Sequence, residues 1–254
     1  MRAIRWIVAA LLAVTAVLFA ADGIWDRISG RQEGPRIECP EEVLQISVRD
    51  PEEMLLTGIT AEDPQDGDLT GSVIVGGVSR LTGGDTAEVT YLVFDKDNNM
   101  ASHVRQVRYT DYHRPVIQLT EPLVYASKSE AKLLERVTVT DAADGDISHL
   151  ARVSTLWATE DPDVFSATVT VTNSLGDIAA VEVPVFIRSN PGAIRLRQQI
   201  LYLEQGAEFD PMAQVVSGGA GLTVEHDVDP MQPGCYWVRY MKGKDLAILT
   251  VVVE

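Results

Sequence analysis

The chain has 254 residues, with 21 Lys+Arg against 37 Asp+Glu and a formal net charge of −16 at pH 7. So acidic a surface repels phosphate backbones, which excludes nucleic acid as a partner class, and it disfavours docking on anionic lipid. Hydrophobic residues make up 46% of the chain, enough to fill packed cores.

The N-terminus is read as an export segment outside the fold. Arg2 and Arg5 precede an apolar run, Trp6–Ala21, interrupted only by Thr15, and Asp22 and Asp26 follow. That charge order places the start inside and the remainder outside. Residues 4–21 approach the roughly 17–25 residues of a membrane span, and Trp6 and Trp25 bracket them as interfacial aromatics do. A retained anchor is favoured over cleavage at Ala21-Asp22-Gly23. The chain is therefore expected to be extracytoplasmic. It would be single-pass with its N-terminus inside, contacting the membrane through residues 4–21, or secreted if the leader is cleaved. Cys39 and Cys235 lie near opposite ends of the exported part, and free or intermolecular thiols are expected there.

After a juxtamembrane stretch ending at Gly34, three segments follow: 35–111, 112–189 and 190–254. The first two share a phrase at fixed offset. Asp63, Asp66-Gly67-Asp68 and Leu69-Thr70 return 78 residues later as Asp141, Asp144-Gly145-Asp146 and Ile147-Ser148. The register holds without a gap from Thr60–Thr110 to Thr138–Arg188, so these are duplicated structural units. A phrase upstream also repeats, as Leu55–Ile59, Leu133–Val137 and, in a third copy, Pro211–Val215, and at most one helical turn is expected at Ser129–Arg136.

Each segment closes on two alternating stretches. In the first, Val89, Tyr91 and Val93 share a face, Asp95-Lys96-Asp97-Asn98-Asn99 turns, and Val107 and Tyr109 return. In the second, Ala167, Val169 and Val171 alternate with threonines, Asn173–Asp177 turns, and Val181, Val183, Val185 and Ile187 return. In the third, Tyr236, Val238 and Tyr240 precede Lys242–Asp245, and Ala247, Leu249, Val251 and Val253 follow. Period two with polar turns predicts half-buried hairpins, and short strands at this spacing predict all-β sandwiches.

"GITAEDPQDGDLT" followed by "AEVTYLVFDKDNN", "VTVTDAADGDIS", and "GAEFDPMAQV" with "PGCYWVRY" resemble the bacterial immunoglobulin-like modules of the DUF5011 and pesticidal-crystal-protein type, relatives of HYR and cadherin-like sandwiches. The resemblance covers residues 35–254 and implies three tandem Ig-like modules behind the hydrophobic signal-anchor helix, in a surface-exposed array often accessory to adhesion or glycan binding. The third copy departs from the pattern, since Ser217-Gly218-Gly219-Ala220-Gly221 stands where the acidic turn belongs, and Asn173 replaces Asp95 in the second.

Two readings compete for the aspartates. Asp63, Asp66, Asp68, Asp95 and Asp97, with Asp141, Asp144 and Asp146, supply the hard oxygens that calcium takes. The same residues also suit Asp-Gly turns whose carboxylates cap backbone N–H groups. No cofactor is required, and calcium is the one cation considered. His103, His113, His149 and His226 share no metal-ligand spacing, and no nucleophile elbow or phosphate loop occurs, so no enzyme is expected. Trp157, in the loop-like stretch Leu156–Pro162, is the candidate glycan contact.

The expected function is a non-catalytic bacterial cell-surface protein, its modules forming a stalk for adhesion or protein interaction with an unidentified surface protein or glycan. The alternatives are a carbohydrate-binding module array and a structural subunit of an envelope complex.

Overall fold

The computed structural model describes residues 34–190 and 192–254. The leader and the anchor expected at residues 4–21 lie outside the described residues. Among the described residues no helix is long and apolar enough to cross a membrane. Among the described residues the fold is all-β.

One strand plan recurs three times. In the first repeat, β1 (Arg36–Glu38), β3 (Thr60–Asp63) and β4 (Gly67–Asp68) make one sheet in the order β1-β3-β4. The other runs β2-β7-β6-β5, from β2 (Val43–Ile46), β5 (Ile74–Val78), β6 (Thr86–Phe94) and β7 (Met100–Tyr109). In the second, β8 (Val116–Leu119), β10 (Val137–Asp141) and β11 (Gly145–Asp146) face a sheet of order β12-β14-β15-β9. Its strands are β9 (Val124–Tyr125), β12 (Arg152–Val153), β14 (Val164–Thr172) and β15 (Ile178–Ile187), with β13 (Trp157–Ala158) also on β14. In the third, β16 (Arg195–Leu196) pairs with β18 (Val215–Ser217). The order β17-β21-β20-β19 is built from β17 (Ile200–Leu203), β19 (Thr223–His226), β20 (Gly234–Lys242) and β21 (Asp245–Val253).

The last strand of each repeat also takes a parallel partner from early in the same repeat. Val124 sits beside Phe186 and Ile200 beside Thr250. In the first repeat the Gln106 N–H donates to Glu42 O and the Thr110 N–H to Ile46 O, so both chains advance in the same direction.

The hairpins form where the alternation places them. Ala87, Val89, Tyr91 and Val93 on β6 are fully buried, as are Ala167 and Val169 on β14 and Val238 and Tyr240 on β20. In the second repeat, Ile117, Val137 and Val139 from one sheet meet Val169, Val171, Val181, Val183 and Val185 from the other in a single core. The shared upstream phrase makes a short 3-10 turn at Glu52–Leu56, Leu133–Arg136 and Pro211–Gln214. A core tyrosine satisfies that turn in two repeats: Tyr91 Oη donates to Leu55 O at 2.6 Å and Tyr240 Oη to Pro211 O at 2.8 Å.

The chain divides into two compact units. One takes in the described residues up to Leu44 with Glu52–Val78 and Val89–Gln106; the other takes in Gln45–Pro51, Ser79–Glu88 and Val107–Glu254. Within the second unit, the second and third repeats pack sheet on sheet. Val164 and Phe186 from the outer face of β14 and β15 bury Ile248 of β21, flanked by Val124, Trp237 and Leu246. Glu182 O accepts from Thr250 Oγ1 at 3.0 Å and from Trp237 Nε1 at 3.3 Å. Tyr202 Oη accepts from the Ile117 N–H at 2.9 Å and donates to Ile117 O at 3.1 Å, and Ile200 joins the core of the second repeat.

Candidate functional site

The repeated acidic phrase builds the same hydrogen-bond network twice. The first aspartate is buried and closes a turn. Asp63 Oδ1 accepts from the N–H groups of Gln65 and Asp66, both at 2.8 Å, and Asp141 Oδ1 from those of Ala143 and Asp144, both at 2.9 Å. The second aspartate ties that turn to the tip of the long hairpin. Asp66 Oδ2 accepts from the Lys96 N–H at 2.8 Å and Oδ1 from Lys96 Nζ at 2.8 Å; Asp144 accepts from the Ser174 N–H and Oγ, both at 2.7 Å. The third caps the next turn, Asp68 on the Thr70 N–H at 2.8 Å and Asp146 on the Ser148 N–H at 2.9 Å. Gly67 and Gly145 adopt φ of 79° and 73° between these aspartates, a conformation that a Cβ would oppose.

Three of these carboxylates, Asp66, Asp68 and Asp146, are held in their charged form by their donors. Lys96 keeps the Asp66 carboxyl below the ordinary range, and Thr70 and Ser148 do the same for Asp68 and Asp146. At the repeat boundary, Asp111 accepts from Ser47 Oγ at 2.6 Å and the Val48 N–H at 2.8 Å, which also lowers its pKa.

The hairpin tips differ between the repeats. Asp95 accepts from the Asn99 N–H at 2.7 Å and Asn99 Nδ2 at 2.6 Å, while Asp97 is exposed in the turn. In the second repeat Asn173 is buried and donates through Nδ2 to Asp141 Oδ2 at 3.0 Å and to Tyr112 Oη at 2.9 Å. Tyr112 donates in turn to Asp177 Oδ2 at 2.9 Å, and Arg114 pairs with Asp177 at 3.2 Å. Burial, with Asp177 beside it, pushes the Tyr112 hydroxyl pKa far upward. Sequence reasoning placed Asp177 only at the end of a hairpin turn and gave Tyr112 and Arg114 no role. The signal for the latter two is the junction Asp111–Pro115 itself, where a large aromatic and a cation precede a proline.

The sequence-predicted aspartates thus fall into two separate turn networks. Among the described residues no group of three His, Cys, Asp or Glu side chains converges in a way that could hold a metal ion. Cys39 and Cys235 are free thiols.

Trp157 lies on β13, 66% exposed, opposite Ser166 on β14. Ser166 Oγ donates to the Glu182 carboxylate. Glu182 forms one wall of a cleft of about 410 Å³ that Glu225, Asp227, Tyr236, Trp237 and Arg239 also line. Arg239 is held by Asp161 at 3.1 Å. An exposed indole and a polar cleft with two aromatic side chains therefore adjoin one sheet face, an arrangement able to stack on and hydrogen-bond a polyhydroxylated ligand.

The sequence matches no family model and no curated protein. Solved structures with a detectable likeness include the CBM51-2 in complex with GlcNAc and INT domains from Clostridium perfringens ZmpB, 17% identical over 61% of this chain and 42% of that one, with a TM-score of 0.25. The lipoprotein BT2262 from Bacteroides thetaiotaomicron is 11% identical over 85% of this chain and 98% of that one, with a TM-score of 0.22. The human Desmocollin-1 ectodomain is 12% identical over 86% and 61%, with a TM-score of 0.19. The chain spans 30–42% of the length of the three Clostridium perfringens chains it matches.

Proposed function

We propose that this chain is a non-catalytic bacterial envelope protein that displays its Ig-like repeats outside the cytoplasm for interaction with another surface component. The observation that carries this reading is how the repeated aspartates are used: their oxygens accept turn N–H groups in both copies, which makes them architecture and not general acids or bases. The sheet-on-sheet union of the second and third repeats supports it, because a fused pair presents fixed surfaces to a partner. The test has two arms. Surface biotinylation of intact cells should label the chain, and the purified chain should bind isolated envelopes saturably. Absence of both removes the reading.

A second reading, saccharide binding, is favoured by the exposed Trp157 beside the cleft of Trp237 and Glu225. Tryptophan fluorescence should then respond to envelope polysaccharide. Trp157→Ala and Glu225→Gln should each weaken that response about tenfold, the loss of roughly 1.4 kcal/mol. A chain whose fluorescence ignores every polysaccharide offered is not a lectin. The third reading, a subunit of an envelope assembly, predicts a stable stoichiometric complex on gentle extraction.

A further inference from the structure

A cleft of about 220 Å³ opens where the second repeat meets the third, and it gathers positive charge on an acidic chain. Its lining carries Arg188, Arg195 and Arg197 and one carboxylate, Glu121. The local sequence arranges this. Ile194 and Leu196 pack into the core of the third repeat, so Arg195 and Arg197, which flank Leu196, face out of that core. Both are exposed. Among the described residues neither has a carboxylate within ion-pair distance. Arg195 Nη1 donates to Gly192 O at 3.1 Å, an uncharged acceptor that fixes the guanidinium without neutralising it.

Arg188 is held more firmly. Its Nη2 donates to Leu246 O at 2.7 Å, and its guanidinium carbon lies 4.4 Å from the centre of the Phe186 ring. Burial lowers its pKa, while Asp245 and Asp163 act in the opposite direction. The nearby carboxylates have other partners as well: Glu121 pairs with Arg136 at 3.7 Å, and Asp245 Oδ2 accepts from the Ala193 N–H at 3.1 Å. Phe186 and Ile248, both buried, give the cleft an apolar wall.

We propose that this cleft binds an oxyanion, a carboxylate or phosphate group carried on a small body such as a sugar ring. Guanidinium groups present paired N–H donors in the geometry that such oxygens accept. The net charge of −16 does not forbid it, because exposed charges beyond roughly 8–10 Å are screened at physiological salt. An anion inside the cleft therefore responds chiefly to the arginines around it. The size selects the ligand further. The volume lies below the roughly 300–1,000 Å³ of sites that enclose a whole drug-sized molecule, so the cleft takes one charged group with the carbon body beside it. Phe186 and Ile248 cover that body. The inference rests neither on the envelope-partner reading nor on the cleft beside Trp157, and Trp157→Ala should leave it untouched.

The test is titration calorimetry on the full chain with glucuronate, inorganic phosphate and, as the neutral comparison, glucose. Both anions should bind with Kd on the order of 1 mM, and glucose should not. Arg195→Gln and Arg197→Gln should each weaken anion binding at least about fivefold, with the melting temperature unchanged because both side chains are exposed. Arg36→Gln removes the same charge from an exposed position on the first repeat and should leave the affinity as it is. A phosphate response without a glucuronate response assigns the cleft to phosphate carriers, and the converse assigns it to uronates. The proposal is overturned by a chain that gives no heat with either anion at about 20 mM, or by glucose binding as well as glucuronate. Affinity indifferent to both arginine variants, or weakened as much by Arg36→Gln, overturns it too.

Discussion

Asp141 does more than close a turn. Its Oδ1 holds two backbone N–H groups, and its Oδ2 receives the buried Asn173 amide. Asp141→Ala leaves those donors without an acceptor and should cost about 2 kcal/mol, measurable by urea denaturation. Tyr240→Phe removes one bond to Pro211 O and should cost about 1 kcal/mol in the same assay. The lowered carboxylates also set the acid limit of the fold. Asp66, Asp68, Asp111, Asp146 and Asp177 sit below their ordinary values when folded, while the unfolded chain titrates near about 4. Depressed folded values mean stability that is present above the unfolded value and is lost as pH falls through the folded ones. The melting temperature should be level from pH 7 to about 5 and fall steadily below about 4; a chain that melts at the same temperature at pH 3 contradicts this assignment.

Hairpins are the most legible elements because burial on one face imposes period two directly on the sequence. Val169 and Val171 point inward and Thr168 and Thr170 outward, as their alternation requires. The short pairings are far less legible. β13 is two residues long, and only its partner β14 makes Trp157–Ala158 a strand; nothing local distinguishes it from loop. Gly176 marks another limit. Its φ of 78° fits a turn read from composition, but its closeness to Arg80 does not follow from sequence. A Cβ there would lie 2.5 Å from Arg80 Cδ, and Leu81 N–H donates to Leu175 O alongside. Gly176→Ala should therefore destabilise by about 1–2 kcal/mol, through backbone strain and a displaced arginine. The same substitution at Gly243, also at positive φ with open space around it, should cost the backbone share alone.

At the scale of the molecule, the second and third repeats stand or fall together. Ile248 is buried among Val164 and Phe186 of the neighbouring repeat. Ile248→Asp places an unpaired charge there, and the single cooperative transition expected of residues 107–254 should split into two in calorimetry. Calcium enters at this scale too. Because each aspartate of the two acidic turns already accepts from at least one protein donor, the melting temperature should be the same in millimolar calcium as in chelator. A rise of several degrees would show that a cation competes successfully with those donors.

The sequence by itself determined the class and the plan: alternation over each hairpin, Asp-Gly turns at a fixed offset, and a third copy that lacks the acidic phrase. Those features are local, written into neighbouring residues by the two-residue period of a strand and the backbone demands of a turn. Only the tertiary structure decided where the acidic side chains point, that Tyr112 and Arg114 join the Asp141–Asn173 network, and that Ile248 seals one repeat onto the next. Those depend on contacts between residues tens of positions apart, and an outward-facing isoleucine reads the same in sequence whether water or another sheet lies above it.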